Sequence, residues 1–337
     1  MNPVDFLEQL IATPSPSGKE DAIADFLVDQ MANLGLQAHR DAAGNSVGIL
    51  GDPAAERRIV LLGHMDTVPG WIPVQRKDGM LHGRGSVDAK GPLATFVQAV
   101  SRLADLPADV CIFVIGAAGE EAHSPGAHYL AKTFPAPECA IIGEPSSWDA
   151  VTLGYKGVLS IEYSLRMAGG HSASGQTTPA EEAFEFWVKV RKYTAEHNHG
   201  DSWRFRTLDP SLRNMHTSSD GLEDGISMNI CLRTPPDLNF DDLKAQIRQW
   251  AGTATVEFPY MDPAVRSEKN SPLVRAFLKA IRGAGGKPRF KLKTGSADMN
   301  VVGPVWACPI VAYGPGDSSL DHTPKEHIKI EEYLRAI

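Results

Sequence analysis

Acidic and imidazole side chains follow directly after several short apolar segments of this sequence. His64 follows one such segment, Glu120 and Glu121 follow a second, and Glu144 follows a third. A parallel sheet brings the carboxyl ends of its strands to one edge, and ligand sites lie at that edge. If the apolar segments are neighbouring parallel strands, we expect one crevice that contains His64, Asp88, Glu120, Glu121, Glu144 and His322.

Two histidines and several carboxylates, with no cysteine among them, form a donor set that suits divalent metal ions. Zinc is the expected ion, with cobalt or manganese as alternatives. We predict that His64, Asp88 and Glu144 hold one ion and that Asp88, Glu121 and His322 hold another, so that Asp88 bridges them. A bridging hydroxide would neutralise the remaining positive charge and could attack a carbonyl group that the ions polarise.

Two further carboxylates are placed to assist such a centre. Asp66 lies two residues after His64, on the same side of an extended segment, and can hydrogen-bond the ring nitrogen that faces away from the metal. Glu120 and Glu121 are neighbours, so their side chains point apart. One of the two can bind metal while the other faces the substrate as a general base.

The segments that must position these groups alternate between strand and helix patterns. Apolar runs at 58–63, 110–115 and 139–142 predict buried parallel strands. Ser17 and Glu20 have the spacing of a capping box before a helix, and Pro92 suits the first turn of another helix. This alternation predicts an α/β fold with a mostly parallel sheet.

The pattern changes over residues 151–262 and then returns. The middle segment predicts a strand at 151–167, a helix at 179–195, strands at 203–207 and 226–232, a helix at 240–250 and a strand at 253–258. Two helices with flanking strands are typical of a ferredoxin-like α+β unit. We therefore predict a discontinuous catalytic domain, 1–150 and 263–337, that is interrupted by an inserted domain, 151–262.

Composition excludes several classes of protein. Lys and Arg number 33 against 41 Asp and Glu, which gives a net charge of −8 and argues against a nucleic-acid partner. The four cysteines show no C-x-x-C spacing, which indicates free thiols in a reducing compartment. The first residues lack the pattern of a signal peptide, and no apolar run approaches the roughly 18 residues of a membrane span. We expect a cytoplasmic protein with no membrane partner.

The motifs also resemble those of a known family. Gly63-His-Met-Asp-Thr-Val-Pro69, Gly83-Arg-Gly-Ser-Val-Asp-Ala-Lys-Gly91, Gly119-Glu-Glu121, Gly143-Glu-Pro145 and the late His322 resemble the co-catalytic zinc aminoacylases and peptidases. That family includes acetylornithine deacetylase, succinyl-diaminopimelate desuccinylase and carboxypeptidase G. The resemblance covers essentially the whole chain. It implies the ligand roles given above, Glu120 as general base and Asp66 as the support of His64, while Ala89 departs from the Asp or Met frequent at its position.

The inserted domain shares the resemblance. Ala168-Gly-Gly-His-Ser172 resembles the segment of the family's lid-domain histidine. This implies a homodimer formed through the inserted domain, in which His171 reaches the partner subunit's site and helps to bind the oxyanion. Asn229 and Arg233 resemble a segment that contacts the substrate carboxylate, and a structural salt bridge of Arg233 is the alternative.

The chain length and the segment 313–324 most resemble members that act on a small acidic amino-group carrier protein. The resemblance implies hydrolysis of the isopeptide bond that joins lysine, or ornithine, to the carrier's C-terminal glutamate. A deacylase of acetylornithine or of another free N-acyl-diamino acid is the alternative, and the catalytic residues do not separate the two. A metal-free binding relative would lack a ligand or Glu120, and a serine hydrolase would need a Gly-x-Ser-x-Gly elbow.

A row of cations offers a docking face for such a carrier. On a strand, alternate side chains share one face, and here those side chains are Lys287, Arg289, Lys291 and Lys293. A basic row in an acidic chain suits the docking of an acidic protein, since complementary charge speeds encounter. An edge strand kept soluble by its lysines is the alternative.

Overall fold

The computed structural model describes residues 1–337. The helices are α1 (Pro3–Ala12), α2 (Asp21–Asn33), α3 (Lys90–Val100), α4 (Pro125–Thr133), α5 (Pro179–His197), α6 (Phe240–Ala251), α7 (Pro272–Gly283), α8 (Asp298–Trp306) and α9 (Ile330–Ala336). The strands are β1 (Gln37–Arg40), β2 (Ser46–Leu50), β3 (Arg57–His64), β4 (Gln75–Lys77), β5 (Met80–His82), β6 (Val110–Ala117), β7 (Cys139–Gly143), β8 (Ala150–Tyr155), β9 (Gly157–Ala168), β10 (Asp209–Ser219), β11 (Glu223–Thr234), β12 (Thr255–Glu257), β13 (Met261–Asp262), β14 (Val265–Arg266), β15 (Arg289–Lys293), β16 (Ile310–Tyr313) and β17 (His327–Lys329). None of the helices combines the length and the apolar character that a bilayer crossing requires.

The chain divides into two compact units. The first contains Met1–Gly154, Arg266–Leu292 and Ala297–Ile337, and the second contains Tyr155–Val265 and Lys293–Ser296. The single strand predicted over 151–167 is wrong, because this segment forms β8 in the sheet of the first unit and β9 in the sheet of the second. The second unit consequently begins a few residues later than the predicted 151.

The first unit is built on a nine-stranded sheet. Its strand order is β1-β2-β6-β3-β7-β16-β8-β14, with β15 beside β8. The central strands β6, β3, β7 and β16 run parallel to one another. The strands β2 and β8 next to this core are antiparallel to it. The fold is therefore of the expected α/β class, with a parallel centre that gives several strands a common carboxyl edge.

Helices cover both faces of this sheet. On β6, Ile112 and Val114 belong to the apolar cluster that includes buried side chains of α1, α2 and α3. Phe113 lies between them and points to the other face, since side chains alternate along a strand. Its ring meets that of Phe134, at the end of α4, with 4.9 Å between the ring centroids. Both faces are thus removed from water, which explains why all eight residues of β6 are buried.

Two glycines let helix α3 approach the carboxyl ends of β3 and β7. A methyl group at Gly143 would lie 2.9 Å from the Phe96 ring and 3.0 Å from the Gly63 backbone, and one at Gly63 would lie 3.2 Å from Leu93. Larger residues there would push the helix away from the sheet. Since α3 begins two residues after Asp88, this close packing brings Asp88 toward the end of β3.

The second unit has a sheet of its own, with the order β10-β11-β9-β12 and with β13 beside β9. This is the strand order of a ferredoxin-like split βαβ unit, in which α5 follows β9 and α6 follows β11. Alternate residues of β9 point to one buried cluster that also contains Phe186 of α5 and Ile247 of α6. The two helices therefore cover one face of this sheet.

The strand predicted at 203–207 is wrong. These residues form a turn, and β10 begins only at Asp209. Alternating aromatic residues gave the segment its strand pattern, but the backbone curls around the buried amine of Lys156. That amine donates hydrogen bonds to the carbonyl oxygens of Arg204, at 3.0 Å, and of Thr207, and it pairs with Asp209 at 2.6 Å. A straight strand could not direct both carbonyl groups to one cation.

Candidate metal centre

Three of the five candidate ligands lie at or just beyond the carboxyl ends of three adjacent parallel strands. His64 is the last residue of β3, and it lies opposite Ala117, the last residue of β6. Gly63 lies opposite Gly143, the last residue of β7, so Glu144 comes directly after that strand. The turn that follows β6 supplies Glu120 and Glu121. These side chains lie close together because the strands that they follow end at the same edge of the sheet.

One group of ligand atoms belongs to His64, Asp88 and Glu144. The Nε2 atom of His64 lies 3.2 Å from Oδ1 of Asp88 and 3.9 Å from Oε1 of Glu144. All three ligand atoms lie within 4.8 Å of one another, a spacing that a single metal ion could bridge. His64 itself is almost completely buried.

The second group shares Asp88 with the first. Nε2 of His322 lies 3.1 Å from Oδ2 of Asp88 and 2.8 Å from Oε1 of Glu121. The two oxygens of Asp88 therefore face different histidines, which is the arrangement expected of a carboxylate that bridges two ions. The His322 side chain is 52% exposed, so this half of the centre is open to solvent.

Asp66 supports the first group from behind. Nδ1 of His64 lies 3.3 Å from Oδ1 of Asp66 and 3.0 Å from its backbone oxygen, so the opposite ring nitrogen points toward Asp88. The Asp66 carboxylate also accepts hydrogen bonds from the backbone N–H groups of Glu120, at 3.0 Å, and Glu121, at 3.1 Å. One buried carboxylate thus orients a histidine and anchors the turn that carries both glutamates.

The predicted capping box at Ser17 is wrong. Helix α2 begins at Asp21 with Glu20 at its N-cap, and no side chain caps it. The Ser17 hydroxyl instead donates a hydrogen bond of 2.6 Å to Oδ2 of Asp66. This contact joins residues far apart in sequence, so the local spacing gave no sign of it. Ser17 consequently supports the candidate centre, which the sequence alone did not indicate.

The two neighbouring glutamates have different surroundings. Gly119 before them has a φ of 73°, and a methyl group there would lie 2.7 Å from the Pro125 ring, so glycine suits this turn. Glu121 contacts His322. Burial raises the pKa of Glu120 well above its ordinary value; the positive charge of His64 opposes this shift, and the carboxylates of Glu144 and Asp298 add to it. A carboxyl group with a raised pKa is suited to accept and return a proton near neutral pH.

Charge in the centre is strongly coupled. Burial disfavours a charged His64, but hydrogen bonds to Asp66 and Asp88 outweigh it and hold the pKa of His64 well above its usual value. Hydrogen bonds to Asp88 and Glu121 raise the pKa of His322 to about 10. Burial would raise the pKa of Asp88, yet its bonds to the two histidines keep that pKa below its ordinary value.

This donor set fits divalent cations. Without metal, the protonated rings of His64 and His322 supply the positive charge that the surrounding carboxylates need. Bound cations would supply that charge instead, and the two rings would then bind metal in their neutral form. Imidazole and carboxylate donors without a thiolate suit zinc, cobalt or manganese.

Two buried charged residues near the centre were missed as contributors by sequence reasoning. Lys90 is buried at the start of α3, donates a hydrogen bond of 2.8 Å to the backbone oxygen of Thr13, and has its pKa lowered to about 7 by burial. Glu326 is also buried, and it accepts hydrogen bonds from the backbone N–H groups of Val87 and Asp88. The sequence carries only a faint signal for Glu326, its position four residues after His322.

The other predicted site residues lie elsewhere in the chain. In the second unit, His171 is exposed after β9, and its Nδ1 accepts a hydrogen bond of 3.1 Å from the Ala173 backbone. Asn229 and Arg233 lie on β11, on the face opposite the buried cluster, since their neighbours 228, 230 and 232 point inward. Nη1 of Arg233 donates a hydrogen bond of 2.8 Å to the Ser296 hydroxyl. Because this partner is uncharged, the bond does not support the alternative of a structural salt bridge at Arg233.

Arg289, Lys291 and Lys293 of the cation row lie on β15, and Lys287 lies just before that strand. Lys287 and Arg289 are exposed, while Lys291 and Lys293 are partly buried. Arg289 forms an ion pair of 2.5 Å with Asp149, and the Lys291 amine donates to the Ser147 hydroxyl at 3.2 Å. Both side chains border a surface cavity of about 470 Å³. Part of the row therefore has local partners.

Comparison with known proteins connects this geometry to a family. The sequence profile of peptidase family M20/M25/M40 matches residues 60–337. A Deinococcus radiodurans protein named "[LysW]-lysine hydrolase" is 44% identical over 341 residues, which cover 99% of this chain and 93% of the relative. A Pyrococcus furiosus protein named "Putative [LysW]-lysine/[LysW]-ornithine hydrolase" is 40% identical over 334 residues, or 99% of this chain and 94% of the relative.

Solved structures show the same fold. An M20 family metallo-carboxypeptidase from Sulfolobus solfataricus superposes with a TM-score of 0.80 at 18% identity, covering 100% of this chain and 97% of that one. Aminopeptidase PepT from Bacillus cereus superposes with a TM-score of 0.77 at 18% identity, covering 99% and 95%. At this identity the likeness speaks for the architecture of the chain.

Substitution of the two glutamates separates a ligand from a non-ligand. We predict that Glu121→Gln loses one ion per chain, because it removes a charged oxygen from the group that Asp88 and His322 complete. Glu120→Gln should retain the full metal content of the unchanged protein, because Glu120 belongs to neither group of ligand atoms. Metal analysis of both variants after loading and gel filtration measures this. A Glu120→Gln protein depleted of metal would contradict the assignment.

Proposed function

The chain belongs to peptidase family M20/M25/M40, and from that premise we propose that it is a metal-dependent hydrolase that releases L-lysine from a LysW-type amino-group carrier protein. The bond that it breaks is the amide between the amino acid and the carrier's C-terminal glutamate. The observation that carries this substrate is the 44% identity, over 99% of the chain, to the D. radiodurans [LysW]-lysine hydrolase. Ornithine is a second candidate product, since the P. furiosus relative's name includes it.

We propose that the two groups of ligands hold two divalent ions, with zinc as the physiological metal and cobalt as a substitute. Such ions, when bound, polarise an amide carbonyl and lower the pKa of water so that it can attack at neutral pH. The sharing of Asp88 between His64 and His322 supports a pair of ions. Asp66 would keep His64 in the tautomer and orientation that a ligand needs.

Glu120 is the proposed general base. Its raised pKa lets it accept the proton of the attacking water and then donate that proton to the departing amino group of lysine. The backbone of Glu120 is held by Asp66, so its carboxyl group stays beside the ligands without being one of them. The reaction consumes water, breaks the C–N bond and leaves a free amine and a carboxylate.

We assign Asn229 and Arg233 to the substrate carboxylate. Their side chains lie on the same face of β11, because alternate residues of a strand point to one side. The planar guanidinium group of an arginine can form two parallel hydrogen bonds to a carboxylate. The Ser296 hydroxyl holds Arg233 without neutralising its charge. These residues would distinguish an amino acid from an amine that lacks a carboxylate.

We further propose a homodimer formed through the second unit, with His171 acting on the oxyanion in the partner subunit's site. Large apolar side chains are exposed along α5, where Phe184 is 57% exposed and Val188 is 41% exposed one turn later. The outer strand β10 is exposed over its last eight residues, and an open strand edge favours pairing with a second copy. The four cysteines are free thiols, which suits a cytoplasmic enzyme of lysine or arginine biosynthesis.

The substrate is tested by a release assay with purified protein. We expect efficient release of lysine from carrier-linked lysine, and much slower hydrolysis of acetylornithine and succinyl-diaminopimelate, because a free small substrate lacks the carrier. Glu120→Gln should reduce turnover by about 10²–10⁴-fold, the usual contribution of a positioned base. Faster hydrolysis of acetylornithine than of the carrier conjugate would instead establish the small-molecule deacylase.

The same assay tests carrier docking at Lys287, Arg289, Lys291 and Lys293. Lys287→Glu combined with Lys291→Glu should lower kcat/KM on the conjugate and flatten its salt dependence, because encounter between opposite charges weakens with ionic strength. Hydrolysis of a small N-acyl-lysine should change little. Arg102→Glu with Lys132→Glu is the matched control, since it makes the same change in net charge at exposed positions on other segments. Equal losses in both double variants would rule out a specific docking face.

The trans role of His171 is tested by complementation. His171→Ala and Glu120→Gln each inactivate a homodimer, but a mixed dimer contains one site with both groups intact. We therefore expect mixing, followed by subunit exchange, to restore part of the activity. A mixture that stays as inactive as its parents, although mass spectrometry detects mixed dimers, would show that His171 does not act across the interface.

A further inference from the structure

A fully buried carboxylate lies directly behind the bridging ligand. The Glu326 side chain has no exposed surface. Its Oε1 accepts hydrogen bonds from the backbone N–H of Val87, at 3.0 Å, and of Asp88, at 3.2 Å. Its Oε2 accepts a hydrogen bond of 2.8 Å from Nη1 of Arg84. Glu326 thus binds the backbone of Asp88, the proposed bridging ligand, and forms no hydrogen bond to the ligand atoms themselves.

Arg84 extends the contact to the rest of the centre. Its Nη1 also donates to the backbone oxygen of Thr323, at 3.3 Å, next to His322. Its Nε donates to the backbone oxygen of Gly70, at 3.2 Å, in the segment that follows Asp66. The Arg84–Glu326 pair therefore joins three separate segments, each of which carries part of the candidate metal centre.

Strand pairing explains how two segments that are far apart in the sequence meet here. Strand β17 pairs antiparallel with β5, and His327 lies opposite His82. The residue before β17 is Glu326, and the residues after β5 lead to Arg84 and Asp88. The pairing delivers a carboxylate to a place where the backbone turns toward α3 and offers two free N–H groups.

We propose that Glu326 is a positioning residue of the metal centre, which holds the Asp88 backbone so that its two carboxylate oxygens face two divalent cations. This inference rests on the two-ion centre of the proposed function. A buried charge is retained only where partners satisfy it, and here Arg84 and the two N–H groups do so. Arg84 is also hydrogen-bonded to the segments that contain His322 and Asp66. A change at residue 326 therefore alters the spacing between the two ion positions.

Calorimetric titration of the metal-free full-length protein with Zn²⁺ and with Co²⁺ tests the proposal. Glu326→Gln keeps the size of the side chain but removes its charge and one acceptor. We expect its affinity for the second ion to fall by about 10–100-fold, the usual effect of an outer partner of a ligand. The visible spectrum of the Co²⁺ protein should also change, because ligand geometry at Asp88 shifts.

Glu332→Gln is the matched control. Oε1 of Glu332 also accepts two backbone N–H groups, from Trp148 at 3.2 Å and Gly316 at 3.1 Å. Its loss should lower the unfolding temperature without a change in metal affinity or in the Co²⁺ spectrum. A Glu326→Gln protein with the metal affinity and spectrum of the unchanged protein would reduce Glu326 to a purely structural role and overturn the proposal.

Arg84→Lys serves if Glu326→Gln does not fold. It keeps the charge but loses the planar fork whose Nη1 reaches Glu326 while its Nε reaches Gly70, so weaker binding of the second ion is again expected. Unchanged binding by a folded Arg84→Lys protein would overturn the proposal. Failure of the proposed function looks different, because the unchanged protein would then bind fewer than two ions per chain or release no lysine.

Discussion

Crowding of negative charge is the constraint on which the rest of this structure depends. Carboxylates of Asp66, Asp88, Glu121 and Glu144 meet around His64 and His322, and like charges at such distances repel strongly. Asp66, Asp88 and the neighbouring Glu120 are relieved of this repulsion in different ways. Asp66 receives N–H and hydroxyl donors, Asp88 lies between the two imidazoles, and Glu120 responds through a raised pKa. These differences support the proposed division into ligand, support and base among residues of nearly the same chemistry.

The ligands at the ends of strands were the part of the site that the sequence predicted most directly. The apolar runs before His64 and Glu144 are each bounded by glycine, and parallel pairing brings their ends together whatever the intervening chain does. The nearby helices also followed from the periodicity of their apolar residues. Local patterns failed where a distant partner competes. Ser17 has the spacing of a helix cap but bonds to Asp66, and the aromatic alternation at 203–207 gives way to the carbonyl contacts of Lys156.

Glu326 illustrates the limit of sequence reasoning in another way. No local pattern surrounds it, because its function depends on the backbone at Val87 and Asp88 and on the strand pairing of β5 with β17. The parts of the chain that distinguish substrates are similarly distributed. The metal centre suits amide hydrolysis, whereas the residues that we propose for recognition of lysine and its carrier, Asn229, Arg233 and the cation row, belong to other segments.

Paramagnetic resonance of the protein loaded with two equivalents of Mn²⁺ tests the shared role of Asp88 most directly. Ions bridged by one carboxylate lie roughly 3.5–4 Å apart, close enough for their electron spins to couple. We predict the multiline spectrum of an exchange-coupled pair, which appears as the second equivalent is added. Two independent mononuclear signals at full loading would contradict it, because the ions would then not share Asp88.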